Sequence, residues 1–541
     1  MSTLNHAASR ETTNIKPEVE KQMENIYMFL EPHLTIANVN TVGFFTEQQW
    51  LLLSDDIRHE LLSMNDQQLA LLPTAGHIKD DTLSCPQLQK LVESSQNFQI
   101  EQLGFVDNID DIVGGCDTDD VLKPGQFMSL KKLHEVSLMS NVVNRLATSH
   151  GVKQVIDIGS GKGYLSQHLS LQYGLNVIGI DSANINTTGA LERNRKIKKF
   201  WPGLHRKANV QKSPLKTDES MVNKLGNDVM QIGLIDSTVS KMVDCQVEAG
   251  NLATIGDADG RGKTVDLKHA VVSAEIKDKM CSFRPVTAYV DTQTQITSMF
   301  EDGDNIEDLL VTGLHTCGDL SACILRMFTH DDSVKILCNV GCCYHLISEK
   351  FEDESERHVA MPTCISSSSD SEYGFPMSDV LRRKEATIGR SARMLSCLSV
   401  DRIESDVKLP SQSLFYRAVL QVIIQQHYTL PTRQQRVGKI AAKCKTFVEY
   451  VRKSLKKLHY DENKLSDDEI TEYYNKYSQQ ERYIECFTQY KAIFAPIIES
   501  LIILDRFAYL LQQDDICEAH IVKLFDPVIS PRCFALIALK K

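Results

Sequence analysis

The chain of 541 residues contains no run of 18 consecutive apolar residues, so no transmembrane helix is expected. Its first 30 residues, MSTLNHAASRETTNIKPEVEKQMENIYMFL, lack the apolar core of a secretory signal. Compositional extremes are missing as well. Hydrophobic residues make up 42% and charged ones 24%, which excludes a wholly disordered, collagenous or coiled-coil protein. No repeat period emerges. A net positive charge is also lacking: the total of −12 argues against wholesale coating of nucleic acid, while leaving room for a local basic groove. The fifteen cysteines are odd in number and several lie inside apolar strand-like runs. Without an export signal they predict reduced thiols in a cytoplasmic or nuclear protein, with no membrane association.

The chain length allows two to four domains at roughly 100–200 residues each. Residues 1–15 read as a disordered polar tail. An N-terminal α-helical module is predicted over 16–106, with Trp50, Leu51, Leu52, Leu53, Ile57, Leu61 and Leu62 covering one broad face. Residues 107–120 (DNIDDIVGGCDTDD) hold six aspartates and read as a solvated acidic linker. A helix is predicted next, with Leu130, Leu133, Val136, Leu138, Val142, Val143 and Leu146 as its apolar positions.

The stretch from Val152 to Ile180 carries the strongest signal. Val155, Ile156 and Ile158 form a strand running into GSGKG, then a helix (YLSQHLSLQY), then a second strand (NVIGID). This is a βαβ unit of a parallel sheet. Further strands are predicted at DLLVTGL (308–314) and VKILCNVG (334–341), with a closing hairpin from HIVKLFD and CFALIALK. The third strand is placed at VTAYVD (286–291), with HAVVSAEI (269–276) competing. A polar insertion at about 204–285 and a helical excursion at about 411–514 enlarge this domain, which runs over 121–541.

After the first strand the chain reads Asp157-Ile158-Gly159-Ser160-Gly161-Lys162-Gly163-Tyr164. The dinucleotide fingerprint needs its third glycine where Tyr164 stands. The spacing is G-x-G-x-G instead, the form of S-adenosylmethionine-dependent methyltransferases of the Rossmann-like class. Such a loop turns strand into helix and brings backbone N–H groups to polar ligand atoms. Asp157 precedes it, and Asp181 ends the second strand, where a carboxylate can accept hydrogen bonds from both ribose hydroxyls. The predicted cofactor residues are therefore Asp157, Gly159, Gly161, Gly163 and Asp181.

These residues, with FMSLKKLHEV (127–136), GLHTCGDLS (313–321), NVGCCYHL (339–346), GFPMS (374–378), LFYRAVLQVI (414–423) and LFDPVISPR (524–532), resemble the methyltransferase-like protein 25 family over most of the chain. The resemblance is weakest over 204–300. It implies an α/β fold, a Rossmann-like class I methyltransferase sheet with helices on both faces, and S-adenosyl-L-methionine as cofactor. GLHTCGDL with NVGCC is also locally similar to eukaryotic tRNA 2′-O-methyltransferases, which raises RNA as a substrate.

Ligands of doubly wound sheets bind at the carboxyl ends of the strands. His315 and Asp319 after the fourth strand are the catalytic candidates: His315 as base, Asp319 orienting it or the acceptor. The same residues also suit plainer roles, His315 at a strand end and Asp319 capping the following helix. The [DN]-P-P-[FY] signature of amino-methylating enzymes is absent, as is a Pro-Cys nucleophile pair. Cys317, Cys338, Cys342 and Cys343 with His315 and His345 raise a metal site. Adjacent Cys342 and Cys343 would point to opposite faces of a strand, so buried thiols and no metal are expected. The roles of Lys131, Lys132 and His134 stay open. Residues 191–216 and 432–457 each hold nine Lys/Arg against one Glu and suit either phosphate contact or a solvated helix face. The expected protein is an S-adenosylmethionine-dependent methyltransferase acting on RNA, or on protein; the alternative is a methyltransferase fold kept as a binding or scaffold module.

Overall fold

Strands buried on both faces read as unbroken apolar runs, and LLVTGLHTC and VKILCNVGC form two such strands at the centre of one sheet. The structure, a computed structural model, describes residues 12–74, 83–114, 128–211, 282–292, 294–300, 308–352, 373–405, 407–429, 437–438 and 440–541. Its eight strands are β1 (Val106–Asp107), β2 (Gln154–Ile158), β3 (Asn176–Asp181), β4 (Phe283–Thr287), β5 (Leu309–Cys317), β6 (Val334–Cys342), β7 (Ile516–Lys523) and β8 (Phe534–Lys540). They lie in the order β1-β7-β8-β6-β5-β2-β3-β4. From β6 to β4 all pairs are parallel; β8 runs antiparallel to both β6 and β7. This is the Rossmann-like α/β sheet that the sequence predicts, with the hairpin closing one side.

Period-two alternation divides the strand residues between two cores. Val155, Leu310, Ile336, Cys338 and Ile537 face one; Ile156, Leu309, Val311, Leu337 and Leu536 face the other. The first core is covered by helices α2 (Leu130–Ser149) and α3 (Tyr164–Tyr173), whose ranges fit the predicted helices. The second is covered by α5 (Asp319–His330) and α6 (Ala495–Leu511). Between them in sequence, α4 (Asn184–Gln211) follows β3.

Several boundaries differ from the sequence reading. Helix α1 (Thr12–Leu30) takes in residues 12–15 of the predicted tail; residues 1–11 lie outside those described. Val19, Met23, Ile26 and Leu30, three or four apart, are fully buried and pack in the same core as α6, so the helical module shares the core of the sheet domain. Leu51 and Leu52 are exposed because a 3₁₀ turn (Gln49–Leu52) breaks the face predicted there; Leu62 is exposed on the helix Asp55–Ser63, which buries Ile57 and Leu61 instead. Within the predicted acidic linker, Asp107 belongs to β1, and Ile109–Val113 is a short helix that buries Val113. Hydrogen bonding to β7 overrides the local charge there. The third strand begins at Phe283 and ends at Thr287, ahead of the predicted span. Pro285 is tolerated in it because β4 is an edge strand. The competing segment 269–276 lies outside the described residues. Helices Ser413–His427, Phe447–Lys457, Asp467–Ser478 and Glu481–Ala492 precede α6. The chain divides into two units, 1–215 with 282–541 and 216–281, the latter outside the described residues.

Candidate functional site

Three glycines turn β2 into α3. Gly159, Gly161 and Gly163 have φ of +74°, +56° and +68°, a region that L side chains rarely adopt. A Cβ at Gly161 would meet nothing within 4 Å, so the chain there borders open space. One at Gly163 would lie 2.6 Å from the Phe283 ring, which explains glycine by packing instead. The loop amides are mainly spent within the protein: Gly159 and Ser160 donate to the Ile180 carbonyl, Gly163 to Ser160. The Gly161 N–H donates to Asp181 Oδ2 at 2.9 Å. Asp181 Oδ1 accepts from the Ala183 N–H and the Asn186 amide, so this carboxylate joins the glycine loop to the start of α4. Fewer loop amides face outward than the sequence suggests.

Asp157 sits beneath the loop, 1% exposed. Its Oδ2 accepts from the Ser166 hydroxyl. Burial pushes its carboxyl up to about 6, against the lowering pull of Ser166's hydroxyl and N–H. Asp157 is thus a desolvated carboxylate with no cation in hydrogen-bond contact among the described residues.

On neighbouring β5, the register slips between Leu314, opposite Val340, and Thr316, opposite Gly341. His315 is the extra residue of this bulge, with φ +64°. Bulges re-aim side chains. Thr316 turns inward to Asn339 Oδ1, while His315 swings sideways to α2, where its Nε2 lies 2.7 Å from Glu135 Oε1. Glu135 is fully buried. Ser530 Oγ donates to the same oxygen at 2.7 Å; Lys132 Nζ lies 3.2 Å from Oε2 and Lys131 Nζ 3.5 Å from Oε1. Burial alone would raise this carboxyl, but the hydrogen bond and charge of His315 and the two ammoniums outweigh it and hold it well below the ordinary range. His134 Nε2 accepts from the Asp526 N–H. Three segments far apart in sequence (KKLHEV, LHTCGD and DPVISPR) therefore meet at one point.

Asp319 does not reach His315. It is the first residue of α5 behind an N-cap at Gly318, and its Oδ1 accepts from the Ser348 N–H at 2.8 Å. The histidine's carboxylate partner is Glu135, which sequence reasoning left without a role. The sequence hint was its place in the FMSLKKLHEV segment beside Lys131, Lys132 and His134.

The cysteines also depart from expectation. Cys342 ends β6, but Cys343 has φ +51°, which breaks the alternation that would have put the two on opposite faces. The sulfurs of Cys317, Cys342 and Cys343 gather within 4.8 Å of one another. Cys338 is buried in β6 apart from them, and His345 lies 4.0 Å from Cys397 Sγ through Nδ1.

The basic stretches differ from each other. In the second, Arg452, Lys453 and Lys456 are matched by Asp467, Glu449 and Glu462. In the first, Arg193 stacks on Tyr164, and Arg195, Lys196, Lys198 and Lys199 stand exposed on α4 with no ion-pair partner among the described residues. A cavity of about 290 Å³ opens at the amino ends of β2 to β4, beside Gln154, Asn176 and Ser282, at the opposite end of these strands from the site. Among the described residues no helix is long and apolar enough to cross a membrane.

Residues 131–350 match a family model described as a methyltransferase domain. Over 97% of its length the chain is 36% identical to "Probable methyltransferase-like protein 25" of Mus musculus, of which it covers 97%. It is 34% identical to the Homo sapiens protein of the same name over 97% of this chain and 98% of that protein. No solved structure matches the chain.

Proposed function

The chain belongs to the methyltransferase-like protein 25 family, and from that premise we propose that it transfers a methyl group from S-adenosylmethionine to RNA. The observation that carries this reading is the placement of the glycine loop and of the His315–Glu135 pair at the carboxyl ends of adjacent strands, β2 and β5. The residues suit this cofactor. Gly161 borders open space, and Asp157 and Asp181 bring negative charge to a ligand bearing a sulfonium and an ammonium. Asp181 Oδ2 keeps one lone pair for a ribose hydroxyl after serving Gly161, Oδ1 being used by Ala183 and Asn186.

Bound S-adenosylmethionine supplies an electrophilic methyl carbon, so alignment and removal of the acceptor's proton are what the protein must add. His315 Nδ1 has no hydrogen-bond partner among the described residues. A proton taken there leaves an imidazolium whose Nε2–H faces the Glu135 carboxylate. Asp319 serves by fixing the strand-end loop through Ser348. RNA is favoured over protein by Arg195, Lys196, Lys198 and Lys199, exposed on α4 with no ion-pair partner among the described residues.

Calorimetry with S-adenosylmethionine on the wild type and Gly161→Arg tests the cofactor. Wild-type binding that the variant abolishes is expected; no binding, or equal binding, would sink the reading. Tritiated-methyl transfer into RNA and protein fractions from cells lacking the protein tests the acceptor. Label in RNA is expected, label in protein replaces RNA, and binding without any transfer makes the chain a scaffold.

A further inference from the structure

Cys317 and Cys342 end neighbouring strands in direct register, and Cys343 follows in the left-handed conformation. Cys317 Sγ lies 3.3 Å from Cys342 Sγ, which lies 3.7 Å from Cys343 Sγ, and all three are within 4.8 Å of one another. A tetrahedral zinc ion with thiolates at about 2.3 Å spaces its sulfurs by about 3.8 Å. The three thiols already stand near that separation. We propose that Cys317, Cys342 and Cys343 bind one thiophilic metal ion, Zn²⁺ foremost, through three thiolates at the carboxyl ends of β5 and β6.

Among the described residues no histidine or carboxylate completes the group. Closed structural zinc sites carry four protein ligands, whereas three with an open fourth position is the pattern of reactive sites. Cys342 and Cys343 are buried and Cys317 is exposed, so the fourth position opens on the Cys317 side. The site adjoins the His315 bulge: the Cys317 thiol contacts the His315 carbonyl at 3.4 Å. Binding releases the thiol protons to solvent and leaves a site of net charge −1. Arg506 suits that charge. It is buried, its Nε and Nη2 have no hydrogen-bond partner in the described structure, and it interacts electrostatically with Cys342. Metal-free, Cys342 is held protonated: its hydrogen bonds with Cys317 and to Cys343, then burial, raise it well above the usual thiol range. A divalent cation reverses that balance.

The inference stands apart from the methyltransferase reading, since its readout is metal and not transfer. Full-length protein purified under reductant without chelator is assayed for zinc and copper by mass spectrometry. It is then stripped and titrated with Co²⁺. Close to one equivalent of metal is expected, with a thiolate-to-cobalt charge-transfer band. Cys317→Ser, at an exposed position, should lose the metal or weaken it by at least about tenfold while melting as the metal-stripped wild type does. Cys397→Ser, outside the cluster, should keep both. Metal-free wild type with no cobalt band, or metal and band unchanged in Cys317→Ser and in Cys342→Ser, would overturn the site.

Discussion

Replacing Asp157 by Asn removes a buried charge while keeping the side chain's shape. The carboxyl is displaced from 3.8 to about 6, chiefly by burial. At about 1.36 kcal/mol per pH unit this amounts to roughly 3 kcal/mol of destabilisation when the group is ionised. A raised carboxyl binds its proton more tightly in the folded state. Its cost is therefore full above pH about 6 and fades as pH falls towards 3.8. Asn escapes the cost but weakens the acceptance from Ser166, which is worth about 1 kcal/mol. The expected net is a ligand-free variant more stable than wild type by about 2 kcal/mol at pH 7.5, a rise in melting midpoint of about 2 °C for a chain of this size. The advantage should shrink between pH 6 and 4.5. Scanning calorimetry of both proteins across that range reads the effect directly. With S-adenosylmethionine the order should invert, because the cation that offsets the wild-type charge gains nothing from Asn: binding should weaken at least about tenfold. A variant less stable than wild type at pH 7.5, or one with undiminished cofactor affinity, would refute the reasoning.

His315→Ala should lower methyl transfer by about 10²–10⁴-fold while leaving cofactor affinity in calorimetry unchanged. Glu135→Gln should give a smaller loss of turnover, together with a melting midpoint lowered by the removal of charge between His315, Lys131 and Lys132. Gly161→Ala should cost about 1 kcal/mol in urea unfolding, for its positive φ alone, whereas Gly163→Ala should cost more, by about 1–3 kcal/mol, because its Cβ meets Phe283. Lys491, buried against the Val39 carbonyl and lowered by burial to about 8, should make Lys491→Met more stable than wild type at pH 7. That margin should narrow as pH rises from about 8 towards 10.5, where the unfolded lysine also loses its proton.

The βαβ unit was legible because its signals are local: strand, glycine loop and helix follow one another within 30 residues. β5 and β6 were legible for a similar reason, since strands buried on both sides carry unbroken apolar runs. Strand β1 was hidden, because two residues carry no periodicity and their partner lies more than 400 positions away. The partner of His315 was hidden for the same kind of reason. Glu135 and Ser530 flank it from 180 positions before and 215 after, and only the bulge at Leu314/Thr316 turns the ring towards them. The cysteine cluster eluded sequence reading because strand alternation was carried one residue too far. Cys343 already lies beyond the end of β6, in a conformation that alternation does not describe.

The place of β8 bears on the order in which the protein can be made. It is the last of the eight strands to leave the ribosome, yet it occupies the middle of one half of the sheet, between β6 and β7. Until it arrives, β6 has an open backbone edge, and β1 with β7 has no attachment to the parallel strands through hydrogen bonds. While the chain between β6 and β8 is being made, the β6 edge therefore stays open and the residues around Glu135 lack Ser530. Completion of the fold and completion of the His315 pocket are then one late event, triggered by the same short stretch of chain.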